Sequence, residues 1–215
     1  MVTVCWSPKG GSGTTVVAAA LAVVLAHRGD GALLVDMAGD VPAALGVPDP
    51  MGHGVLDWLA APDAGMAALN RLVRPGTNGL DIIPAGGADG TVWAPARGAA
   101  LIEALAAMAR PVVVDAGLLR PATHEVVARA TTSLLVVRSC YLALRRAVAA
   151  PLRPSGVVLV REPGRSLGRA DVEDVLGVPV VACIEQSVDV ARAVDAGLLM
   201  ARLPSPLARG LREAA

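Results

Sequence analysis

The chain has 215 residues, enough for one sizeable domain and too few for two ordinary domains with a large insertion. Apolar residues make up 54% of it and aromatic residues only 2%, so the core must be built from small and branched aliphatic side chains. The formal net charge is zero, which argues against binding to nucleic acid or anionic lipid through an overall positive charge.

The cysteines and the longest apolar run indicate where the protein works. Cys5, Cys140 and Cys183 are odd in number and far apart, so neither a disulfide framework nor a metal-binding cysteine pair is indicated, and a cytoplasmic location is expected. The run from Val16 to Ala26 is far short of the ~20 residues that cross a bilayer. No transmembrane segment is therefore predicted. A signal-peptide core is the alternative for this run, but a strand and a glycine-rich loop precede it.

Apolar runs of strand length alternate with helix-like stretches through the chain. The strand-like runs are Val2–Trp6, Ala32–Asp36, Leu80–Pro84, Pro111–Asp115, Ser133–Arg138, Gly156–Arg161 and Val178–Cys183. The helix-like stretches are Thr15–His27, Ala94–Ala109, His124–Ala130, Leu142–Ala150, Asp171–Leu176 and Ser187–Ala196. Because the strand runs are nearly continuous rather than alternating, both faces should be covered. The pattern predicts a doubly wound, mainly parallel α/β sheet with helices on both faces, in a single domain over residues 1–215.

One stretch, Val41–Val73, breaks the alternation. Proline and glycine punctuate it, and short helices are predicted around Leu56–Ala60 and Met66–Leu72. We expect a loop-and-helix excursion beside the sheet.

A glycine-rich loop, residues 7–15, joins the first strand to the first helix. Its glycines, Gly10, Gly11 and Gly13, allow backbone N–H groups to turn inward, and the following helix adds its dipole, so an anion site is predicted. The ordinary P-loop pattern G-x-x-x-x-G-K-[ST] is met only in part, with Gly13 and Thr15 in place but Thr14 where lysine is usual.

Lys9 lies inside this loop and is the only lysine in the chain, since the other eighteen cationic side chains are arginine. A compact ammonium suits a crowded phosphate pocket better than a guanidinium fork does. A tight turn with a solvated lysine is the alternative interpretation.

The order K-G-G-x-G-x-T after a first strand resembles the deviant Walker A motif of the ParA/MinD superfamily. Lys9 matches the signature lysine of that motif. Further segments look similar to the family's switch, Walker B and terminal elements: Leu33–Asp40, Gly54–Ala61, Gly79–Gly87, Val112–Gly117, Leu134–Arg146 and Leu176–Gly197. The stretches 6–11 and 39–46 look closest to the TadZ/CpaE branch, which positions pilus or secretion machinery.

The resemblance implies ATP or ADP with Mg²⁺ as ligands and assigns roles to residues. The predicted nucleotide-binding set is Lys9, Gly10, Gly11, Ser12, Gly13, Thr14 and Thr15. The predicted metal set is Thr15, Asp36 and Asp115, and the predicted catalytic set is Lys9, Asp36 and Asp40. In the family the signature lysine reaches the partner subunit's phosphates, which implies a homodimer.

Two departures from the family pattern point to weak or absent hydrolysis. Thr14 stands where the family keeps a lysine on the β- and γ-phosphates, and Ala38 stands where it commonly keeps a second, catalytic acid. Asp40 lies two residues beyond Ala38 and is the candidate substitute. We therefore expect a degenerate site whose remaining nucleotide affinity depends on dimerisation.

Two other features have interpretations that remain open. Between Arg138 and Arg169 there are seven arginines against one acid, Glu162, so a nucleic-acid surface is conceivable, although a solvated, neutralised face is favoured. The segment Leu203–Ala215 has Leu207 and Leu211 on one face, and we expect a frayed terminal helix rather than a membrane anchor.

The sequence thus favours a dimeric, nucleotide-responsive positioning or regulatory factor with a protein partner in a positioning or secretion system. Recruitment to a membrane-associated complex is compatible with that role. An active ATPase that partitions DNA or places the division site is the alternative, and a nucleotide-free interaction module is a second one. DNA is a less favoured partner.

Overall fold

The structure, a computed structural model, describes residues 1–29, 31–87 and 92–215. Seven strands form one sheet in the spatial order β3-β2-β4-β1-β5-β6-β7, and every neighbouring pair is parallel. The strands are β1 Val2–Ser7, β2 Ala32–Asp36, β3 Leu80–Ile83, β4 Val112–Leu118, β5 Thr132–Arg138, β6 Gly156–Arg161 and β7 Val180–Glu185. The predicted doubly wound parallel α/β sheet is confirmed.

Each predicted strand run overlaps an observed strand, and prolines account for two of the shifted boundaries. β4 begins at Val112 and β7 at Val180, each one residue after a proline. A proline has no N–H to donate to the sheet, yet its carbonyl still accepts a bond. The Leu33 N–H donates to the Pro111 carbonyl, and the Val157 N–H donates to the Pro179 carbonyl, both at 2.9 Å.

Helices cover both faces of the sheet and enclose two apolar cores. The helices are α1 Thr14–Ala26, α2 Val41–Leu45, α3 Val55–Ala60, α4 Met66–Arg71, α5 Pro95–Ala106, α6 His124–Ala128, α7 Tyr141–Val148, α8 Arg169–Leu176, α9 Val188–Asp195 and α10 Ser205–Gly210, with a short 3₁₀ turn at Pro121–Thr123. Helices α3 to α8 pack on one face. Helices α1, α2, α9 and α10 pack on the other.

Helix α1 is apolar all round and is buried at every position except Thr15 and Val16. Its many alanines let it lie close against the sheet, as the aromatic-poor composition predicts. Because the helix is fixed in this way, the loop at its N-terminus has a fixed position too.

The excursion after β2 contains a short helix that the sequence interpretation missed. α2 begins directly after Asp40, with Pro42 in its first turn, and ends at Gly46 with a positive φ of 73°. Gly46 lies against Gly197, two residues after the end of α9, so closely that a Cβ on Gly46 would come within 1.7 Å of the Gly197 carbonyl oxygen. The two glycines therefore allow backbone to meet backbone between α2 and α9.

The expectation of a frayed C-terminal helix is wrong. Helix α10 packs on β7 and α1, and both Leu207 and Leu211 are buried. The Arg28 guanidinium, just beyond α1, donates to the carbonyls of Arg212 and Ala215 at 2.7 Å each. The short apolar face of this segment predicts fraying because the sequence does not show that β7 and α1 cover it.

Across the described ranges, no helix combines the length and the apolar character needed to cross a bilayer.

Candidate nucleotide site

The loop between β1 and α1 has the backbone conformation of a phosphate cradle. Gly11 and Gly13 have φ of 74° and 85°, in the left-handed region that favours glycine. A Cβ placed on Gly10, Gly11 or Gly13 would meet no atom within 4 Å, so the loop borders open space. The N–H groups at the start of α1 are thus available to an anion.

Hydrogen bonds hold the loop in this shape without any ligand. The Lys9 carbonyl accepts from the Ser12 hydroxyl at 2.8 Å and from the Ser7 hydroxyl at 3.1 Å. The Leu119 N–H donates to the Ser7 carbonyl at 2.8 Å, which joins the loop to the segment after β4. Ser12 therefore acts as a structural support of the loop through its side chain.

A cavity of about 450 Å³ opens above the loop at the carboxyl edge of the sheet. It is lined by Ser7, Gly10, Gly11, Ser12, Gly13, Thr14, Thr15, Val16, Met37, Ala38, Asp40, Trp93, Ala116, Gly117, Leu118, Arg120, Ala122 and Thr123. Ligand sites of open α/β sheets lie at this edge. Apart from Lys9, the whole predicted nucleotide-binding set faces the cavity.

Asp115 lies beside the loop and is fully buried, but β4 continues to Leu118, so this acid is inside the strand and not at the strand end that the sequence predicts. Its Oδ1 accepts from the Gly117 N–H at 3.0 Å, whereas Oδ2 has no hydrogen-bond partner in the described part of the chain. Burial raises the pKa of Asp115 to about 7, with the nearby charge of Asp36 adding to the effect and the Thr15 hydroxyl opposing it. A buried carboxylate oxygen without a partner, close to a threonine hydroxyl, suits a cation and its waters.

Asp36 is level with Asp115 on the adjacent strand, since the two residues are register partners of β2 and β4. Its Oδ1 accepts from the N–H groups of Ala38 and Gly39 at 2.9 and 2.7 Å, and Oδ2 accepts from Val41 at 3.2 Å. Burial raises the pKa of Asp36, and these three bonds oppose the rise. Asp36 thus organises the turn that leads to Asp40 and does not line the cavity.

The two departures from the family pattern both lie on the cavity wall. Thr14 and Ala38 face the space where a lysine and an acid are expected, and Asp40 faces it as well. Lys9 does not line this cavity, and within residues 1–29, 31–87 and 92–215 its Nζ donates only to the neighbouring Gly10 carbonyl at 3.1 Å.

Among the cavity residues that sequence reasoning missed, three have polar or aromatic side chains. Arg120 and Thr123 follow β4, and their place after a predicted strand at the carboxyl edge was a usable signal. Trp93 precedes α5, and no local pattern could have indicated its position.

No group of three or more His, Cys, Asp or Glu side chains in residues 1–29, 31–87 and 92–215 is arranged to hold a metal ion. The predicted metal set of Thr15, Asp36 and Asp115 contains a hydroxyl and two carboxylates, and Asp115 has a buried oxygen without a hydrogen bond in the described part of the chain.

The arginine-rich segment is largely neutralised by nearby acids. Arg138 and Arg165 both pair with Glu162, Arg161 pairs with Glu185, and Arg169 pairs with Glu173. Arg153 donates to the Gly177 carbonyl at 2.7 Å. Within the described ranges, Arg145 and Arg146 have no ion pair or side-chain hydrogen bond, and both are exposed on α7. The favoured interpretation of a solvated, neutralised face agrees with these contacts.

A parallel sheet whose first strand leads through a glycine-rich loop into a buried helix, with a buried acid on the adjacent strand, defines the P-loop α/β class. The model of the CobQ/CobB/MinD/ParA nucleotide binding domain matches residues 3–200, and the chain belongs to this family.

Solved structures of similar fold span nearly the whole chain. A ParA family ATPase from Chlorobium tepidum has 22% identity and a TM-score of 0.79, covering 98% of this chain and 95% of its own. MinD in the MinC:MinD cell division protein complex of Aquifex aeolicus has 19% identity and a TM-score of 0.77, covering 98% and 92%. The septum site-determining protein MinD of Pyrococcus horikoshii, complexed with Mg-ADP, has 22% identity and a TM-score of 0.76, covering 97% and 91%. No curated protein matches the chain by sequence.

Proposed function

We propose that the protein is a ParA/MinD-like, dimeric positioning or regulatory factor that binds ATP or ADP with Mg²⁺ and hydrolyses ATP weakly or not at all. The observation that carries the proposal is the cavity above the phosphate loop, whose backbone is shaped for phosphate while Thr14 and Ala38 stand on its wall. The shape favours binding, and the two side chains disfavour turnover.

Nucleotide binding is supported by the loop backbone and by the acid beside it. The N–H groups of the loop and of the first turn of α1 would hold the phosphates. The residues present fit Mg²⁺, because Asp115 Oδ2 lacks a partner and the Thr15 hydroxyl is close to this carboxylate. When bound, the metal neutralises charge on the β- and γ-phosphates. The P. horikoshii MinD structure carries Mg-ADP, which makes the same ligand reasonable for this chain.

Weak hydrolysis follows from what the cavity wall lacks. Phosphoryl transfer depends on positioning and on charge stabilisation. Thr14 and Ala38 are both uncharged, and Asp40 is the acid on the wall that remains for orienting a water molecule. The Asp36 carboxylate accepts hydrogen bonds from three backbone N–H groups. The predicted catalytic role of Asp36 is therefore less well supported than that of Asp40.

A homodimer is supported by the placement of Lys9. The Lys9 ammonium does not line the cavity of its own subunit and, among the described residues, donates only to a neighbouring carbonyl, which leaves it available to a second copy of the chain. In that arrangement each Lys9 would act on the partner's phosphates, and nucleotide affinity would depend on assembly.

A protein partner in a pilus- or secretion-positioning system, as in the TadZ/CpaE branch, is the partner we propose. The A. aeolicus MinD relative forms a complex with the protein MinC. The neutralised arginine face disfavours DNA as the main partner.

The test is calorimetric titration of MgATP and MgADP with the oligomeric state recorded by light scattering in the same buffer. We expect weak binding that shifts the protein towards a dimer. Lys9→Ala should reduce the dimer fraction in nucleotide without changing the melting temperature, because the side chain contacts only one exposed carbonyl.

Absence of binding at millimolar MgATP would support the nucleotide-free interaction module instead. Dimerisation that is unchanged in Lys9→Ala would contradict the role of Lys9 between subunits. An exposed arginine far from the loop, Arg202→Gln, serves as the matched charge-loss control.

A further inference from the structure

The cavity wall contains a cation that neither the loop pattern nor the family resemblance assigns. Arg120 lines the cavity two residues after the end of β4. Among the described residues, it is the only cationic side chain in that lining. Its guanidinium makes no ion pair or hydrogen bond within the described ranges, although Asp40 lines the same space. A free guanidinium in a phosphate-shaped cavity is available to an anionic ligand.

The backbone around Arg120 is fixed by short-range contacts. The Arg120 N–H donates to the Thr123 hydroxyl at 3.1 Å, and that hydroxyl donates to the Arg120 carbonyl at 3.0 Å. Pro121 follows directly and restricts the chain further. On the other side, Leu119 is hydrogen-bonded to the Ser7 carbonyl at the start of the loop. The backbone of Arg120 therefore has a fixed position relative to the phosphate loop.

The position of Arg120 selects which phosphate it can reach. The loop and the first turn of α1 hold the inner phosphates, because their N–H groups lie at the cavity floor. Arg120 comes from the segment after β4, the strand whose Asp115 faces the proposed metal position. Asp115 and Thr15 would hold Mg²⁺, which would supply charge neutralisation for the terminal phosphates, so the terminal phosphate would lie on the cavity side near β4.

We propose that Arg120 binds the terminal phosphate of ATP within the same subunit and supplies the positive charge that the residue at position 14 does not. This inference rests on the proposed nucleotide-binding function. It gives the site a preference for ATP over ADP without restoring hydrolysis, because Ala38 still provides no acid on the wall.

The experiment compares MgATP and MgADP affinities of the full chain by calorimetry for wild type, Arg120→Gln, Arg120→Lys and the control Arg202→Gln. We expect Arg120→Gln to weaken ATP binding about 10- to 100-fold, the range for a lost charged hydrogen bond, while ADP affinity stays within about twofold. Arg120→Lys should retain part of the ATP affinity because the charge remains without the guanidinium fork. Arg202→Gln should behave as wild type. Melting curves of all variants should coincide, since Arg120 is exposed.

Equal loss of ATP and ADP affinity, or no loss of either, in a folded Arg120→Gln protein would overturn the assignment to the terminal phosphate and leave the proposed function standing. Failure of wild type to bind either nucleotide would overturn the proposed function and this inference together. The two failures are distinguished by the wild-type titration alone.

Discussion

The two charged regions of the molecule differ in how their charges are satisfied. At the carboxyl edge of β1, β2 and β4, Asp115 is buried with one oxygen unpartnered, and Arg120 lines a cavity without an ion pair among the described residues. Across residues 138–169, the charges are far more numerous, yet most are paired with acids from neighbouring elements.

The difference teaches that charge density in a sequence is a poor guide to a binding site. The arginine-rich segment attracts attention in the sequence because its acids, Glu173 and Glu185, lie outside it. The carboxyl edge of the sheet attracts less attention, although the buried Asp115 Oδ2 there has no hydrogen-bond partner among the described residues. A buried polar group without a partner costs free energy, so it indicates a missing ligand more reliably than a solvated charge does.

The largest expected effect is on the rate of ATP hydrolysis in the cavity at the carboxyl edge of the sheet. Wild type should hydrolyse ATP near background, because the wall lacks two charged parts of a phosphoryl-transfer site. Thr14→Lys with Ala38→Asp should raise ATP affinity and recover measurable turnover in a phosphate-release assay. Removal of one donor that stabilises developing negative charge costs about 10²- to 10³-fold in rate elsewhere, which sets the scale expected for the restored lysine.

Lys9→Ala in the double variant is the control, and its turnover should fall again if the ammonium acts between subunits. Robust, Lys9-dependent turnover by the unmodified chain would contradict the degenerate site and support an active ATPase.

In the absence of nucleotide and Mg²⁺, the buried acids Asp115 and Asp36 should make the free energy of unfolding depend on pH. The folded pKa of Asp115 is raised to about 7, above its ordinary value of 3.8, so the folded state keeps a proton that the unfolded state loses. Stability is therefore greatest below about pH 4 for this group, falls as pH rises towards 7 and then levels off. The shift corresponds to at most about 4 kcal/mol, and the raised pKa of Asp36 adds in the same direction.

Asp115→Asn should remove most of that slope and stabilise the apo protein at pH 8 by about 1–4 kcal/mol in urea unfolding. Asn keeps an acceptor for the Gly117 N–H, so the turn should survive. A pH slope unchanged by the substitution would show that other groups carry it. Added Mg²⁺ should stabilise wild type more than the variant.

On the arginine-rich side, Glu162 is the acid whose loss should matter most. Its side chain is 10% exposed and forms ion pairs with both Arg138 and Arg165. Glu162→Gln should cost about 1–2 kcal/mol of unfolding free energy. Glu185→Gln, which removes an exposed pair with Arg161, should cost about 0.2–1 kcal/mol and is the matched control. Equal costs would mean that burial does not distinguish the two pairs.

The smallest effect should be on DNA binding. Arg145 and Arg146 are the exposed arginines of α7, so wild type should bind duplex DNA weakly and without sequence preference. Each phosphate contact contributes about −0.9 to the slope of log affinity against log salt, which gives roughly −2 for two contacts. Arg145→Ala with Arg146→Ala should abolish this binding in a fluorescence anisotropy titration. Tight wild-type binding at physiological salt, lost in that double variant, would show that the face is a nucleic-acid surface.

The sequence predicts the sheet well because its strands are covered on both faces and are therefore continuously apolar. It also predicts the loop, since glycines, a strand and a helix follow one another directly. It does not predict α2, whose five residues are too few for a helical period, or the docking of Leu207 and Leu211, which depends on a distant sheet face. The tertiary fold brings Arg120 and Trp93 to the cavity, and neither belongs to the loop motif that identifies the site in the sequence.

The contact between Gly46 and Gly197 has a consequence for how the molecule tolerates mutation. Both residues have positive φ, and a side chain on either would overlap the backbone of the other. In a deep mutational scan the two positions should behave as one intolerant unit, and a change at either should not be rescued by a change at the other. The unit joins the segment that follows Asp40 to the end of α9, so a movement of that acidic turn would have to carry α9 with it.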